Sequence, residues 1–296
     1  MLRVGYIGLG LMGKPMAGNI LKAGFPLVVH NRSHTAVAEL AAKGADTASS
    51  PAEVAQQVDV VFTNLPYSPD VEKVALGQNG IIEGAHDGLI FVDNSTIKPA
   101  SARKIANSLS ENNVQSLDAP VSGGDIGAQK GTLAIMVGGK KKTLDTVMPI
   151  LEVLGKTIIH VGGSGAGQIA KAANQIMVAA QMVAMGELLI LAQKAGADPE
   201  RVVAAIRGGA AGCWTLDNKP QRLFEGMREP GFKAYMQSKD LNIVMDTARE
   251  YGIPLPLTAV STQLYQSMLE MGMANLDNSA VIGVIESLSG TQLKTK

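Results

Sequence analysis

Residues 162–196 read GGSGAGQIAKAANQIMVAAQMVAMGELLILAQKAG and predict one long helix in the middle of the chain. After the opening glycines, about thirty residues pass without proline, and they are rich in alanine, methionine, leucine and glutamine, which favour or tolerate helix. Such a helix is about 40–45 Å long, enough to cross a whole domain. Its apolar residues cover most of the circumference, so we expect an interdomain helix that is buried on nearly all sides.

A membrane span is the alternative interpretation of this helix, because its apolar run approaches about twenty residues. Asn174, Gln175, Gln181 and Glu187 interrupt the run, and polar groups are costly inside a bilayer. We therefore expect no membrane partner.

Lys171 is a single cation in the first turns of this apolar helix. Gly167 lies one turn before it, and Asn174 and Gln175 lie one turn after it, so an ammonium, an amide and bare backbone share one face. A lysine in such surroundings either meets an anionic partner or takes part in proton transfer. Lys171 is therefore the candidate catalytic residue.

A glycine-rich motif follows the first β-rich run, RVGYI at residues 3–7. Between this strand and the next helix, Gly8, Gly10 and Gly13 form G-x-G-x-x-G, which is the context that a dinucleotide-binding fingerprint requires. A flexible glycine loop is the alternative interpretation. The spacing of strand, loop and helix favours the dinucleotide, whose pyrophosphate would meet the start of the helix. The predicted cofactor contacts here are Gly8, Gly10, Leu11, Met12 and Gly13.

The end of the second predicted strand, LVVH at residues 27–30, bears on the choice of cofactor. An NAD site usually places an acidic residue there for the ribose hydroxyls, whereas this chain continues with Asn31, Arg32 and Ser33. An arginine offers its guanidinium fork to a 2′-phosphate. We therefore predict NADP, with NAD possible. The alternative is a surface arginine in an enzyme that accepts both cofactors.

Further strands alternate with helices, which predicts a parallel sheet buried on both faces. Ligands gather at the carboxyl ends of such strands. Strands at residues 59–64 and 89–92 end in Asn-Leu-Pro and Asn-Ser-Thr segments, for which ordinary turn and cap chemistry is the alternative. The predicted cofactor contacts in these segments are Asn64, Leu65, Pro66 and Thr96.

The segment DAPVSGG, residues 118–124, predicts an anion site. Gly123 and Gly124 can present successive backbone N–H groups, and the Ser122 hydroxyl adds a donor. A substrate carboxylate is the natural ligand, and a plain serine-glycine turn is the alternative. Two more strands, at residues 132–137 and 157–161, are expected to close the sheet.

The carboxyl third is predicted to be helical throughout. Ser238 or Asp240 is expected to cap a helix that reaches about Tyr251, and Asn278-Ser279 to cap the last helix. The predicted fold is an α/β Rossmann dinucleotide-binding domain, residues 1–163, and an all-α C-terminal substrate and oligomerisation domain, residues 164–296, joined by the long interdomain helix.

Composition excludes several functions. The formal net charge is zero and aromatic residues make up 4%, which argues against nucleic acid. The four histidines have no metal-ligand spacing, so we predict no metal. The one cysteine fits a reducing compartment, and the first residues lack the charged region and small-residue cleavage site of a secretory signal, so we expect a cytoplasmic protein.

The features that remain point to one kind of reaction. A dinucleotide, a carboxylate-binding loop and an isolated lysine together suit hydride transfer to a carbonyl, with lysine protonating the oxygen.

Four motifs resemble the β-hydroxyacid dehydrogenase family in order and spacing: GLGLMGKPMAGNILKAG, DAPVSGG, GAGQIAKAANQ and SKDLN. The resemblance implies that Lys171 is the catalytic acid and base, and that Ser122, Gly123 and Gly124 hold a substrate carboxylate. It further implies that Asn174 and Gln175 position the substrate. Contacts to the nicotinamide end of the cofactor are implied for Thr96 and Lys239, with Phe232 and Asp240 nearby.

Within that family, the pieces VALGQNGIIEG, KAGADP and RGGAAG are most similar to the tartronate semialdehyde reductases. The expected reaction is the reduction of a small 3-oxo acid or semialdehyde. The alternatives are 3-hydroxyisobutyrate dehydrogenase and glyoxylate/succinic semialdehyde reductase. Gln175 departs from the asparagine usual in the family, and Asn278 stands where the reductases carry histidine. The family also suggests a homodimer or homotetramer.

Two other classes of protein compete with this interpretation. An imine or phosphogluconate-type oxidoreductase would share the architecture, but Lys171 argues against imine reduction and the short carboxyl third argues against a phosphorylated sugar. A non-catalytic dinucleotide-sensing module could dispense with both Lys171 and the Ser122–Gly124 loop.

Overall fold

The structure, a computed structural model, describes residues 1–295 and divides into two compact units. The first unit runs from Met1 to Lys171 and the second begins at Ala172, so the division falls inside the long helix.

The first unit contains a nine-stranded sheet in the order β3-β2-β1-β4-β5-β6-β8-β7, with β9 paired to β8. Strands β1 to β6 pair in parallel, as predicted, whereas β8 runs antiparallel to β6 and β7 and parallel to β9. The expectation of a parallel sheet is therefore confirmed for the first six strands only. The strands are β1 Val4–Ile7, β2 Leu27–His30, β3 Asp46–Thr47, β4 Val60–Thr63, β5 Ile90–Asp93, β6 Gln115–Asp118, β7 Val121–Ser122, β8 Leu133–Gly139 and β9 Gly155–Gly162.

Helices cover both faces of this sheet, which is why the central strands β1 and β4 are buried at every position. Tyr6 and Phe62 lie in the core on one face, and Ile7 and Val61 lie in the core on the other. Ser50 caps α3, since its hydroxyl accepts from the Glu53 N–H at 3.1 Å. The helices are α1 Gly13–Lys22, α2 His34–Ala41, α3 Pro51–Gln57, α4 Ser68–Leu76, α5 Pro99–Ser110, α6 Gly124–Lys130 and α7 Lys141–Leu154, with a 3₁₀ turn at Ile81–Gly84.

The long helix α8 runs from Ala166 to Lys194. It is not buried on nearly all sides as expected, because Met177 is 57% exposed and Leu191 is 70% exposed. Among residues 1–295 it is the one helix long and apolar enough to cross a membrane. Half of its most apolar 18-residue stretch is buried inside the protein. A core helix of a folded protein has these same properties.

The second unit is helical, as predicted, around a core that includes Met182, Leu189, Leu241 and Tyr265. Asp198 caps its first separate helix by accepting from the Glu200 and Arg201 N–H groups. The helices are α9 Pro199–Ile206, α10 Trp214–Asn218, α11 Pro220–Phe224, α12 Ala234–Tyr251, α13 Pro256–Met268 and α14 Ile282–Ser289, with a π-helical segment at Leu269–Met273 and a 3₁₀ turn at Asn278–Val281.

Two predicted helix caps in this unit are wrong. Helix α12 begins at Ala234, so Ser238 and Asp240 lie inside it and are buried. Asp240 instead receives a hydrogen bond from Gln175. The turn that leads into α14 is capped by Asp277, whose carboxylate accepts from the Ser279 N–H at 3.1 Å, rather than by Asn278 or Ser279. Cap-forming residue types indicate a helix start only when tertiary contacts leave their side chains available.

Candidate active site

The glycine loop has the shape that the fingerprint predicts. A Cβ atom on Gly13 would lie 1.9 Å from the Gly8 carbonyl oxygen, so α1 can start this close to β1 only without a side chain there. Gly10 is exposed, and a Cβ atom on it would meet nothing within 4 Å. The loop therefore offers open backbone at Gly10 and close helix packing at Gly13, which is the arrangement that fits a dinucleotide pyrophosphate.

The segment after β2 lies beside this loop and contains Arg32, whose guanidinium group is available to bind a phosphate. Asn31 accepts from the Leu9 N–H at 3.0 Å and donates to the Ser33 hydroxyl at 2.8 Å, so it ties the segment to the glycine loop. Arg32 is exposed and has no hydrogen bond or ion pair to any residue that the structure describes. Glu39, the nearest acidic residue, is on α2 and pairs with Lys14 at 2.9 Å. This chemistry fits a 2′-phosphate better than a pair of ribose hydroxyls.

The segments after β4 and β5 lie side by side at the carboxyl edge of the sheet, as predicted. The Leu65 N–H donates to the Ser95 hydroxyl at 2.8 Å, and the Asn94 amide donates to the Ala119 carbonyl at 2.7 Å. Asn64 and Thr96 are half-buried and Pro66 is exposed. These contacts place the predicted cofactor residues on one edge.

The Ser122–Gly124 segment joins strand β7 to helix α6. Gly123 has φ 137° and Gly124 has φ 64°, values that residues with side chains rarely adopt. Ser122 is half-buried and pairs with Ala134 of β8, which holds the turn against the sheet. The segment can therefore present backbone N–H groups and a hydroxyl to an anion.

Lys171 is only 7% exposed and stands in the second turn of α8, within the same unit as the glycine loop. The start of this helix is held by Asp118, at the end of β6. Its Oδ1 accepts from the Gly165 N–H at 2.7 Å, and its Oδ2 accepts from the Gln168 N–H at 2.9 Å. Burial raises the pKa of Asp118 to about 6, although these two hydrogen bonds lower it; the nearby charge of Asp93 raises it further.

Gly167 has a different role from the one expected. It does not offer bare backbone to a ligand beside Lys171, because a Cβ atom on it would lie 2.4 Å from the Asp118 carbonyl oxygen and 2.5 Å from the Met136 carbonyl oxygen. Gly167 thus lets the first turn of α8 pack directly on the backbone of β6 and β8. Lys171 is four residues later in α8, so its side chain projects from the same side of the helix as Gly167.

In the second unit, two of the predicted site residues, Gln175 and Lys239, contact Asp240. The Gln175 amide donates to Asp240 Oδ2 at 2.6 Å, and the Lys239 ammonium lies 2.9 Å from Asp240 Oδ1. Asn174 and Phe232 are half-buried. The longer side chain of Gln175, compared with the usual asparagine, is therefore used in a buried bond to Asp240.

A buried ion pair lies in this unit. Lys219 contacts Asp277 at 2.7 Å, and Asp277 also accepts from the Gly231 and Phe232 N–H groups. Burial raises the pKa of Asp277, but the Lys219 charge and the hydrogen bonds from Lys219 and Ser279 outweigh it, so the pKa lies below its ordinary value. The pair positions the backbone at Phe232. Its members are 58 residues apart in the chain, so no local pattern indicates it.

Residues 1–295 contain no group of three or more His, Cys, Asp or Glu side chains placed to hold a metal ion.

Two sequence models of known domains match consecutive parts of the chain. The model of the NAD binding domain of 6-phosphogluconate dehydrogenase matches residues 3–163. The model of the NAD-binding domain of NADP-dependent 3-hydroxyisobutyrate dehydrogenase matches residues 165–285.

Relatives of established name extend over nearly the whole chain. It is 40% identical to 2-hydroxy-3-oxopropionate reductase of Escherichia coli, over 99% of this chain and 100% of the relative. It is 36% identical to 2-(hydroxymethyl)glutarate dehydrogenase of Eubacterium barkeri, over 99% of this chain and 97% of the relative. A solved structure of Mycobacterium tuberculosis 3-hydroxyisobutyrate dehydrogenase with L-serine superposes with a TM-score of 0.88 at 33% identity, over 96% of this chain and 99% of the other. The chain therefore belongs to the β-hydroxyacid dehydrogenase family and is an NAD(P)-dependent hydroxyacid dehydrogenase, an oxidoreductase.

Proposed function

We propose that the protein reduces a small 3-oxo acid of the tartronate semialdehyde type to the hydroxyacid, with NADPH as the preferred reductant and Lys171 as the general acid. The observation that carries this proposal is the buried lysine itself. It stands on a helix whose start is seated on the sheet by Asp118 and Gly167, in the unit that carries the glycine loop.

The chemistry assigned to Lys171 is a proton transfer to the carbonyl oxygen of the substrate. When bound, the reduced nicotinamide supplies the hydride. The Lys171 ammonium stabilises the negative charge that develops on the oxygen and then donates its proton, and both effects are stronger away from water. A free lysine has a pKa of about 10.4, so donation near neutral pH is its natural direction.

We assign the remaining residues from the sequence motifs and from the family to which the chain belongs. The Ser122 hydroxyl and the backbone of Gly123 and Gly124 bind the substrate carboxylate, which keeps the carbonyl group in one orientation. Asn174 and Gln175 position the substrate. Cofactor contacts are assigned to three parts of the first unit and two residues of the second: Gly8, Gly10, Leu11, Met12 and Gly13; Asn31, Arg32 and Ser33; Asn64, Leu65, Pro66 and Thr96; Phe232 and Lys239.

The choice of substrate is supported by the 40% identity to a reductase of 2-hydroxy-3-oxopropionate, which is tartronate semialdehyde. The alternatives are 3-hydroxyisobutyrate dehydrogenase, favoured by the solved relative at 33% identity, and glyoxylate/succinic semialdehyde reductase. All of these substrates are small and carry a carboxylate, which suits the compact Ser122–Gly124 turn. We further propose a cytoplasmic homodimer or homotetramer.

A substrate screen tests the proposal directly. The purified protein is mixed with NADPH or NADH and with glyoxylate, tartronate semialdehyde, succinic semialdehyde or methylmalonate semialdehyde, and nicotinamide absorbance is followed. We expect the highest kcat/KM with tartronate semialdehyde and NADPH. A clear preference for another of these acids would transfer the assignment to the corresponding alternative, and no reduction of any of them would reject it.

The cofactor preference depends on Arg32. Replacing Arg32 with Asp removes the cation for a 2′-phosphate and adds an acceptor for ribose hydroxyls, so the ratio of kcat/KM for NADPH over NADH should fall by about 10–100-fold, the value of a charged hydrogen bond. Lys142→Asp, on the exposed surface of α7, makes the same change in net charge and should leave the ratio unaltered. An unchanged ratio in Arg32→Asp would show that Arg32 does not bind the phosphate.

A further inference from the structure

We propose that Asp118 is a positioning residue for Lys171: its ionised carboxylate holds the first turn of α8 on the sheet and thereby sets where the Lys171 ammonium stands. The proposal rests on the assignment of Lys171 as the general acid. It concerns a residue that opens the DAPVSGG segment but has no part in the carboxylate-binding turn itself.

Both oxygens of Asp118 are committed to the helix. One accepts from the Gly165 N–H, just before α8, and the other accepts from the Gln168 N–H, one turn before Lys171. These are two of the N–H groups that have no partner within the helix itself. A negative charge at this end of a helix is also stabilised by the helix dipole.

The same turn is tied to the segment after β5 through the Gln168 side chain. Its amide donates to the Ser95 carbonyl at 2.9 Å, and its oxygen accepts from the Ile97 N–H at 3.1 Å. Gln168 is buried, as is Asp118. Residues on either side of Thr96 are therefore linked to the turn that carries Lys171, with Asp118 bonded to the backbone of the same glutamine.

The first turn of α8 has no room for a compensating shift toward the sheet. Gly138 and Gly167 lie against each other and beside the Asp118 carboxylate, because a Cβ atom on Gly138 would lie 2.5 Å from Asp118 Oδ1 and 2.6 Å from the Gly167 nitrogen. A neighbouring cavity lined by Asp118 has a volume of about 10 Å³, space for one water molecule at most. Asp118 thus acts on the helix, and no substrate group reaches it through this cavity.

The charged groups that face Asp118 are few. Asp93 lies beside it on β5, in register, and raises its pKa by charge repulsion. On α5, the Arg103 side chain approaches Gly165, with Cγ and Nη1 each 3.1 Å from where a Cβ atom of Gly165 would stand. On α8 the next charged residue is Lys171, and neither β7 nor β8 contains an ionisable side chain.

Protonation weakens one of the two acceptors. Above pH 6 the carboxylate accepts both N–H bonds with a full negative charge; below it, one oxygen becomes a hydroxyl group, which is a donor and a much weaker acceptor for its N–H group. Asparagine at this position imitates the protonated state, because it has one acceptor oxygen and one donor group.

The pKa of Asp118 also links stability to pH. Since its pKa in the folded protein lies above the unfolded value, folding favours the protonated form, and lowering the pH from 7 to 5 stabilises the fold through this group. Rate and stability should therefore change in opposite directions.

The experiment compares wild type, Asp118→Asn and a control, Asp145→Asn, an exposed carboxylate on α7. The single-turnover rate of NADPH oxidation is measured from pH 5 to 8 with whichever acid of the screen is reduced fastest. We expect the wild-type rate to fall below a midpoint near pH 6 while its Tm rises relative to that of Asp118→Asn. The Asp118→Asn rate should be about 10–100-fold lower at pH 7.5, as for a small misplacement of a catalytic group, and should lack this midpoint. NADPH affinity and the control should match wild type.

Each of the following outcomes would overturn the proposal. Asp118→Asn could retain the wild-type rate at pH 7.5, or its rate could show the same acid midpoint. If Asp118→Asn does not fold, the wild-type profile decides, and a flat rate from pH 5 to 8 would be the contrary result. An inactive Lys171→Ala beside a fully active Asp118→Asn refutes only the positioning role, whereas an active Lys171→Ala refutes the general acid and, with it, this proposal.

Discussion

Replacing Lys171 with Ala is expected to lower kcat by about 10²–10⁴-fold, the usual contribution of general acid catalysis, which corresponds to about 3–5 kcal/mol of transition-state stabilisation. The substitution removes the proton donor and the positive charge from a buried position on α8. It leaves the glycine loop and the residues after β2 unchanged, so NADPH binding should survive. The measurement is steady-state NADPH oxidation, together with NADPH affinity from fluorescence titration.

A matched control for this variant lies on the same helix. Lys194 is the last residue of α8, is exposed and donates to the Ser289 carbonyl. Lys194→Ala should retain wild-type kcat. Lys171→Arg keeps the positive charge but not a transferable proton, and we expect it to be as slow as Lys171→Ala. Wild-type turnover in Lys171→Ala would remove the central assignment.

The second large effect is expected at Gly13, and it should be an effect on stability. A methyl group there would lie 1.9 Å from the Gly8 carbonyl oxygen and 3.2 Å from the Tyr6 ring, so α1 must move away from β1. Overpacking of this kind costs about 1–3 kcal/mol or more. We expect Gly13→Ala to unfold at a clearly lower denaturant concentration than wild type, as measured by urea titration with circular dichroism.

Gly10 provides the contrasting variant in the same loop. A Cβ atom on Gly10 meets nothing within 4 Å, so Gly10→Ala should change the free energy of unfolding by less than about 0.5 kcal/mol. It should nevertheless weaken NADPH binding, because the methyl group stands where backbone approaches the pyrophosphate. Equal stability of Gly13→Ala and wild type, or undiminished NADPH affinity in Gly10→Ala, would contradict these separate roles of the two glycines.

Much of the first unit is predictable from local patterns. The strands are short runs of β-branched and aromatic residues, and the G-x-G-x-x-G motif lies between one of them and a helix, so both fold class and dinucleotide binding follow from neighbouring residues. Ser50 before Pro51, and Asp198 before Pro199, correctly indicate helix starts. In these places the deciding interaction joins residues only two or three positions apart.

The errors arise where distant contacts compete with local preference. Asp240 has the chemistry of a helix cap, yet it is buried inside α12 and bonded to Gln175, 65 residues away. Gly167 resembles an open patch beside Lys171, yet it lies against the carbonyl groups of β6 and β8. Likewise, β8 pairs antiparallel with β6, and the amino-acid composition of a strand does not determine its neighbour or its direction in the sheet.

The sequence by itself determined the two-part architecture and the cofactor-binding motif, and it singled out Lys171 as the proposed general acid, because each depends on residue types at short, regular spacings. Only the tertiary structure decided what holds Lys171 and Phe232 in place. Asp118 reaches Gln168 across 50 residues, and Lys219 reaches Asp277 across 58. Such contacts form because folding removes polar groups from water and each must then find a partner within about 3 Å. Which partner is close enough depends on the packing of the whole unit, so no local pattern records it.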